Sequence, residues 1–95
     1  MPQSSLITVS VYRRNYGYRY TDLPVDRLET SGLMIDCSGS YTRPEHYDLR
    51  PGDIVRWRAG DRCIEAVISS VTRDSASVRA ELSGAHLLPP DFFLY

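Results

Sequence analysis

The sequence predicts an all-β fold: a small single-domain barrel or sandwich of five to six short antiparallel strands. Three observations favour it. Apolar and polar side chains alternate with a period of two in several stretches, as in strands that bury one face. Turn residues recur between these stretches, roughly every eight to twelve positions. The chain has 95 residues, the length of one small domain, so residues 1–95 are expected to share one core.

The composition is that of a globular protein without a strongly basic charge. Apolar residues make up 42% of the chain and charged residues 24%, which argues against wholesale disorder. The net charge is −1, whereas a protein that binds nucleic acid by bulk electrostatics is clearly basic. All eleven basic residues are arginine. Arginine binds carboxylates and phosphates well, but codon usage in a GC-rich genome explains this bias without a ligand.

Charge is unevenly distributed along the chain. Residues 1–20 hold three arginines and no acids, and residues 21–48 hold six acids and two arginines. Residues 49–95 balance six bases against six acids. The basic opening is therefore expected to meet the acidic middle, either within the fold or across a dimer.

Two strands and a turn are predicted at the start of the chain. The stretch LITVSVY (6–12) alternates, with Ile7, Val9 and Val11 on one face. Asn15 suits a turn, and YGYRY (16–20) then alternates again. Regular alternation predicts that one face of this second strand carries Tyr16, Tyr18 and Tyr20.

The middle of the chain is less regular. Residues 21–32 favour one short helical turn, with Asp22 as its cap and Pro24 in its first turn, over an extended connection. LMIDC (33–37) reads as a buried strand, and SGS (38–40) as a turn. Residues 41–52 contain two prolines and mixed charge, and therefore predict a long loop of the kind that often carries function.

The last half predicts three strands in succession. DIVRWR (53–58) places Val55 and Trp57 on the inner face, CIEAVISSVT (63–72) is a long strand, and ASVRAEL (76–82) alternates with its apolar residues inward. The turns AGDR and RDS separate them. The tail ends in FFLY and is expected to dock, because exposed apolar residues would be sticky.

Residues 49–82 carry a resemblance to a known architecture. LRPGDIVRWRAGDRCIEAVISSVTRDSASVRAEL resembles the meander of SH3-like small barrels, where a PGD-V turn opens a strand, a tight hairpin follows and two more strands wrap the core. The resemblance covers about a third of the chain. It is to a superfold that hosts many functions, and it implies a binding module only in general terms.

The motifs of common catalytic and metal sites are absent from the sequence. There is no nucleophile elbow, phosphate loop or paired-histidine metal motif. Cys37, Cys63, His46 and His86 match no zinc spacing, so two buried free thiols are expected, with no metal, no cofactor and no enzymatic activity. Residues 1–12 lack a secretory signal and no run reaches transmembrane length, so a cytoplasmic protein that does not enter the membrane is expected.

A tyrosine- and arginine-rich surface is the predicted functional feature, because these residue types are enriched at protein interfaces. The expected partner is another protein or a second copy, which makes the chain a non-catalytic interaction or assembly module. The alternatives are tyrosines that pack in the core, and a platform that stacks the bases of single-stranded nucleic acid. This surface is expected to join the tyrosines of the second strand and the neighbouring arginines with the 41–50 loop. The predicted partner-binding residues are Arg13, Arg14, Tyr16, Tyr18, Arg19, Tyr20, Tyr41, His46, Tyr47, Arg56 and Arg58.

Overall fold

The structure is a computed structural model that describes residues 7–39 and 41–89. Within this part of the chain the fold is all-β, as predicted, but the strands number seven rather than five to six. One 3₁₀ turn, Pro44–His46, is the helical element among these residues. The strands are β1 (Ile7–Arg13), β2 (Gly17–Val25), β3 (Arg27–Glu29), β4 (Gly32–Asp36), β5 (Ile54–Ala59), β6 (Arg62–Arg73) and β7 (Ser77–Leu87).

All seven strands belong to one antiparallel sheet with the order β2-β1-β5-β6-β7-β4-β3. The sheet curls into a half-barrel, which is compatible with a small barrel fold. The first and last strands of the sheet, β2 and β3, follow each other in sequence and are joined at Asp26. The curl therefore brings the two edges of the sheet together at this residue.

The core fills the inner face of the curled sheet. The predicted inward residues of β5 and β7 are confirmed, since Val55, Trp57, Val78 and Ala80 are all buried. Burying a side chain such as that of Val55 or Val78 contributes about 1.5–3 kcal/mol to the free energy of folding. The loop before β5 adds Leu49, which is 1% exposed. The buried core consists of Val9, Val11, Leu23, Val25, Leu33, Ile35, Cys37, Leu49, Val55, Trp57, Ala66, Ile68, Val78, Ala80 and Leu82.

The pairing of β1 with β2 is interrupted twice. Val9 pairs with Leu23, Val11 pairs with Tyr20, and Tyr12 pairs with Tyr18, so β2 carries one extra residue at each step. Each extra residue is a β-bulge, and it shifts the alternation of side chains along β2. The nine residues of β2 thus lie against the seven of β1.

The helical turn considered for residues 21–32 is wrong. These residues continue β2 and form the β3–β4 hairpin instead. Leu23 and Val25, two residues apart, are both buried, so the period of a strand prevails over the capping signals. Pro24 is accommodated because β2 is an edge strand, where one row of backbone N–H groups has no strand partner.

The final strand is longer than predicted and continues to Leu87. The pairing of β6 with β7 has two register shifts, and at one of them Gly84 adopts a φ of 66° between the pairs Val67–Ser83 and Glu65–His86. Leu88 after the strand is buried, whereas the predicted docking of the FFLY tail concerns positions outside the described residues. Cys37 and Cys63 are buried free thiols, as predicted.

Candidate functional site

Two aspartates anchor the arginine-rich start of the chain. Arg13 donates from Nε and Nη2 to the two carboxylate oxygens of Asp53, at 2.9 Å each. Its Nη1 donates to Asp48 Oδ2 at 3.0 Å. The side chain of Arg13 is 12% exposed and that of Asp53 is 3% exposed. Arg13 is therefore a structural residue that ties β1 to the loop before β5, rather than a free cation for a partner.

Asp48 is the shared acceptor of this network. It receives hydrogen bonds from Arg13, from Arg19 Nη2 at 2.8 Å and from Arg50 Nε at 3.2 Å. The hydrogen bond from Arg13 is the largest cause that lowers the pKa of Asp48, to about 2. Asp53 and then Asp48 raise the pKa of Arg13 above its usual value. The predicted pairing of the basic opening with the acidic middle is thus confirmed within one copy.

Tyr20 belongs to the same internal region. It pairs with the buried Val11, and residues paired across two strands share a face, so Tyr20 lies on the core side. Its hydroxyl accepts the Asp48 N–H at 2.8 Å, and its ring lies 6.5 Å from that of Tyr47. Burial raises the pKa of Tyr47. Tyr20 and Tyr47 therefore close the core from the loop side.

The predicted row of Tyr16, Tyr18 and Tyr20 on one face is wrong because of the bulge in β2. Tyr18 pairs with Tyr12 and shares its outward face, opposite to that of Tyr20. The rings of Tyr12 and Tyr18 meet edge to face, with centroids 5.7 Å apart. Tyr16 precedes β2 in the turn and is 76% exposed.

A different row exists on the outward face. Cross-strand pairs join Tyr18 to Tyr12, Tyr12 to Ile54, and Ile54 to Val67, across β2, β1, β5 and β6. Tyr18 is 43% exposed and Val67 is 37% exposed, while Tyr12 and Ile54 are partly exposed. We call these four side chains the outer row. It is a continuous aromatic and apolar strip on the solvent side of the sheet.

A charged row runs beside the outer row. Arg56 Nε donates to Glu65 Oε1 at 2.8 Å, and its guanidinium lies 5.6 Å from the centre of the Tyr12 ring. His86 Nε2 lies 3.6 Å from Glu65 Oε2 on the next strand. Arg56, one of the predicted partner-binding residues, therefore packs along the outer row on the outward face of the sheet.

A hollow of about 480 Å³ lies at one end of the outer row. Arg14 is exposed beside it and has no hydrogen-bond or ion-pair partner among the described residues. Arg50 has a side chain that is 68% exposed. With Asp53 paired to Arg13, the lining has an excess of positive charge. We call this the basic hollow, which is lined by Arg13, Arg14, Arg50, Pro51, Gly52, Asp53 and Val67.

The remaining predicted site residues lie apart from the outer row. Arg58 is exposed near the end of β5, Tyr41 is fully exposed and His46 is exposed in the 3₁₀ turn. Arg73 holds the following loop segment by donating to the Tyr47 carbonyl at 2.7 Å. No hydrogen bond or ring contact within residues 7–39 and 41–89 joins Tyr41 or His46 to Tyr12 or Tyr18. The predicted union of the tyrosines with the whole 41–50 loop is therefore not formed on the outward face.

Sequence reasoning missed Tyr12, Ile54 and Val67 as members of a shared surface. Their outward direction follows from alternation within each strand, because their chain neighbours Val11, Val55 and Ala66 are fully buried. What alternation cannot supply is the order of strands, which places β5 beside β1. The roles of Asp48 and Asp53 were likewise hidden, because their arginine partner lies 35 and 40 positions away.

The part of the chain that the structure describes contains neither a cluster of metal ligands nor a membrane-spanning helix. No cluster of three or more histidine, cysteine, aspartate or glutamate side chains is placed to hold a metal ion there. None of its helical segments has the length and hydropathy needed to cross a membrane.

In comparisons with known proteins, no family model matches the chain, and no curated protein and no solved structure matches it.

Proposed function

We propose that this chain is a non-catalytic assembly module that binds a protein partner through the outer row. The first candidate for this partner is a second copy of the chain itself. The observation that carries the proposal is the unbroken strip Tyr18, Tyr12, Ile54 and Val67 on the solvent side of the sheet. Aromatic and apolar side chains flanked by arginine are the composition of an interface centre.

Energetics favour coverage of this strip by a partner. Apolar surface removed from water contributes about 25 cal/mol per Å², and tyrosine and arginine dominate binding hot spots. Arg56 and Glu65 neutralise each other at 2.8 Å, so they add little net charge at the border of the strip. A polar border around an apolar centre is the arrangement of a specific protein interface.

The size of the outer row sets its role within the interface. Four strands at a spacing of about 4.8 Å place Tyr18 and Val67 roughly 14 Å apart. A standard interface buries about 800 Å² on each partner, which is more than one such strip provides. The outer row therefore forms the centre, and neighbouring groups such as Tyr16, Arg14 and His86 form the rim.

The alternative function, single-stranded nucleic-acid binding, needs ring faces that are open to bases. Tyr12 and Tyr18 meet edge to face, and the Arg56 guanidinium lies over the Tyr12 ring. Tyr20 is removed to the core side, and Arg13 and Arg19 are paired with Asp48. These contacts reduce both the stacking surface and the free charge, and they favour a protein partner.

Static light scattering over a concentration series up to roughly 1 mM, where a contact of about −4 kcal/mol becomes populated, tests the proposal. We expect the average mass to rise with concentration. Val67→Arg should suppress this rise, whereas Thr72→Arg, an exposed position elsewhere on β6, should not. A wild type that stays monomeric throughout, or a Val67→Arg protein that associates like the wild type, contradicts it.

A second arm separates the two functions. Fluorescence anisotropy of a labelled single-stranded oligonucleotide, measured at low and physiological salt, reports nucleic-acid binding directly. Salt-sensitive binding that is lost in Tyr18→Ala, without self-association, would favour the alternative. We expect no such binding at physiological salt.

A further inference from the structure

We propose that copies of this chain assemble head to tail, with the basic hollow of one copy bound to an acidic rim on the next. The acidic rim consists of Asp26, Asp36 and Asp74, which are all exposed. The inference rests on the proposed function and deepens it, since it names the surface that receives the basic hollow at the end of the outer row. Val67 belongs to both the outer row and the basic hollow, so the two form one continuous face.

Short backbone links hold the acidic rim together. The Asp36 N–H donates to Asp26 Oδ2 at 2.7 Å, which joins the end of β4 to the β2–β3 junction. The Cys37 N–H donates to the Ala76 carbonyl at 2.6 Å, and the Ala76 N–H donates to Asp74 Oδ1 at 2.8 Å. Three carboxylates from separate parts of the sequence are thereby fixed at one end of the sheet.

Asp26 and Asp36 keep capacity for a ligand, whereas Asp74 already accepts hydrogen bonds from Ala76 and Ser77. A carboxylate accepts about four hydrogen bonds, and Asp26 accepts one from the described residues, through Oδ2. Hydrogen bonds from Ser38 lower the pKa of Asp36, and those from Ala76 and Ser77 lower the pKa of Asp74. Asp36 and Asp74 are therefore ionised at neutral pH, and Asp26 and Asp36 retain carboxylate oxygens that can accept from an incoming guanidinium.

The basic hollow supplies the complementary donors. Arg14 has no partner among the described residues, and Arg50 uses Nε for Asp48 while no described residue accepts from its two terminal nitrogens. Counting Arg13, Arg14, Arg19 and Arg50 against Asp48 and Asp53 leaves a charge of +2 on the hollow and the ion-pair network beside it. Guanidinium groups bind carboxylates in a bidentate geometry that fixes orientation, so this hollow suits aspartate side chains of a partner.

The basic hollow and the acidic rim are not paired with each other within one copy. No ion pair within the described residues joins the basic hollow to the acidic rim. A contact between two different surfaces leaves one of each free on the pair, so association continues into rings or chains rather than stopping at a two-fold dimer.

The test uses two variants, each of which disables one surface. Arg14→Glu/Arg50→Glu removes the basic hollow. Asp26→Asn/Asp36→Asn/Asp74→Asn removes the charge of the acidic rim while its side-chain oxygens can still accept the backbone hydrogen bonds. In light scattering we expect species larger than a dimer for the wild type, and at least tenfold weaker association for each variant alone. An equimolar mixture should form a one-to-one pair and nothing larger, because each copy retains the surface that the other lacks.

The outcomes separate this inference from the proposed function. A rim variant that assembles like the wild type, or a mixture that forms no pair, overturns head-to-tail assembly. If Val67→Arg still abolishes association in that case, the outer row remains the interface and the proposed function stands. A wild type that is monomeric at every concentration overturns both. Unfolding curves of each variant confirm the fold, and Asp36→Asn alone replaces the triple variant if the latter is unfolded.

Discussion

Arg13 and Asp53 form a bidentate ion pair in which both side chains are largely buried, with exposures of 12% and 3%. The pair joins the last residue of β1 to the residue before β5. Removal of one partner from a buried pair costs about 3–5 kcal/mol, and the remaining contact of Arg13 with Asp48 should keep the loss near the lower end of that range. Asp53→Ala should therefore lower the free energy of unfolding by that amount, measured in urea.

The matched control for that experiment is Arg50→Ala. Arg50 also contacts an aspartate of the network, but its side chain is 68% exposed, so the loss should stay below about 1 kcal/mol. Equal effects of the two substitutions would show that the network contributes through surface charge alone.

Acid should weaken the fold through Asp48. The folded-state pKa of Asp48 is about 2, below the usual 3.8, so its stabilising contribution is complete above pH 4 and disappears as the pH falls through 2. The contribution is about 2 kcal/mol at most, and solvent screening reduces it because the side chain is 32% exposed. Unfolding free energies between pH 5 and pH 2 should show this loss in the wild type. In Asp48→Asn the decrease over the same range should be smaller by that amount.

Tyr18 and Tyr20 should respond differently to truncation. Tyr20→Ala removes a ring that packs against the core and a hydroxyl bonded to the Asp48 N–H, and we expect a loss of about 3 kcal/mol in unfolding free energy. Tyr18→Ala removes an exposed ring with one aromatic neighbour, and we expect a loss of about 1 kcal/mol or less. Association of the folded protein should show the reverse order, with the larger effect at Tyr18. The measurement is thermal unfolding of each variant in dilute solution. Equal decreases of the unfolding midpoint in Tyr18→Ala and Tyr20→Ala would contradict the assignment of the two rings to opposite faces.

The bulge of β2 between Tyr20 and Leu23 depends on the backbone conformation of Asp22. Its φ is 56°, a left-handed conformation that aspartate and glycine adopt readily and that β-branched residues do not. Asp22→Val should therefore cost about 1–3 kcal/mol, whereas Asp22→Gly should be nearly neutral. Chemical denaturation of both variants provides the measurement, and a tolerated valine would show that the bulge relocates.

The all-β class and the inward faces of β5 and β7 could be predicted because they depend on alternation within one strand. Val55, Trp57 and Val78 illustrate this, since the burial of each follows from its own neighbours. The opposite orientation of Tyr18 and Tyr20 could not be predicted, because a bulge is decided by the fit of two strands rather than by one.

The candidate site, like the fold, could be predicted only in part. Composition predicts a tyrosine- and arginine-rich surface, and Arg14, Tyr16 and Tyr18 are exposed, but the sequence leaves open whether the tyrosines pack in the core instead. The outer row requires knowledge that β1 lies beside β5, a pairing between segments more than forty residues apart. Buried charge pairs such as Arg13–Asp53 also depend on that pairing, so they appear only when the tertiary fold is known.

The irregular shape of β2 has a consequence for how the protein avoids uncontrolled aggregation. An edge strand offers unpaired backbone groups to any extended chain, and bulges, proline and charged side chains are the devices that block such pairing. Strand β2 has two bulges, Pro24 without an N–H donor, and the exposed Arg19 and Asp22. Backbone-to-backbone strand addition at this edge is thereby discouraged, which leaves side-chain complementarity as the route by which another molecule can join the sheet.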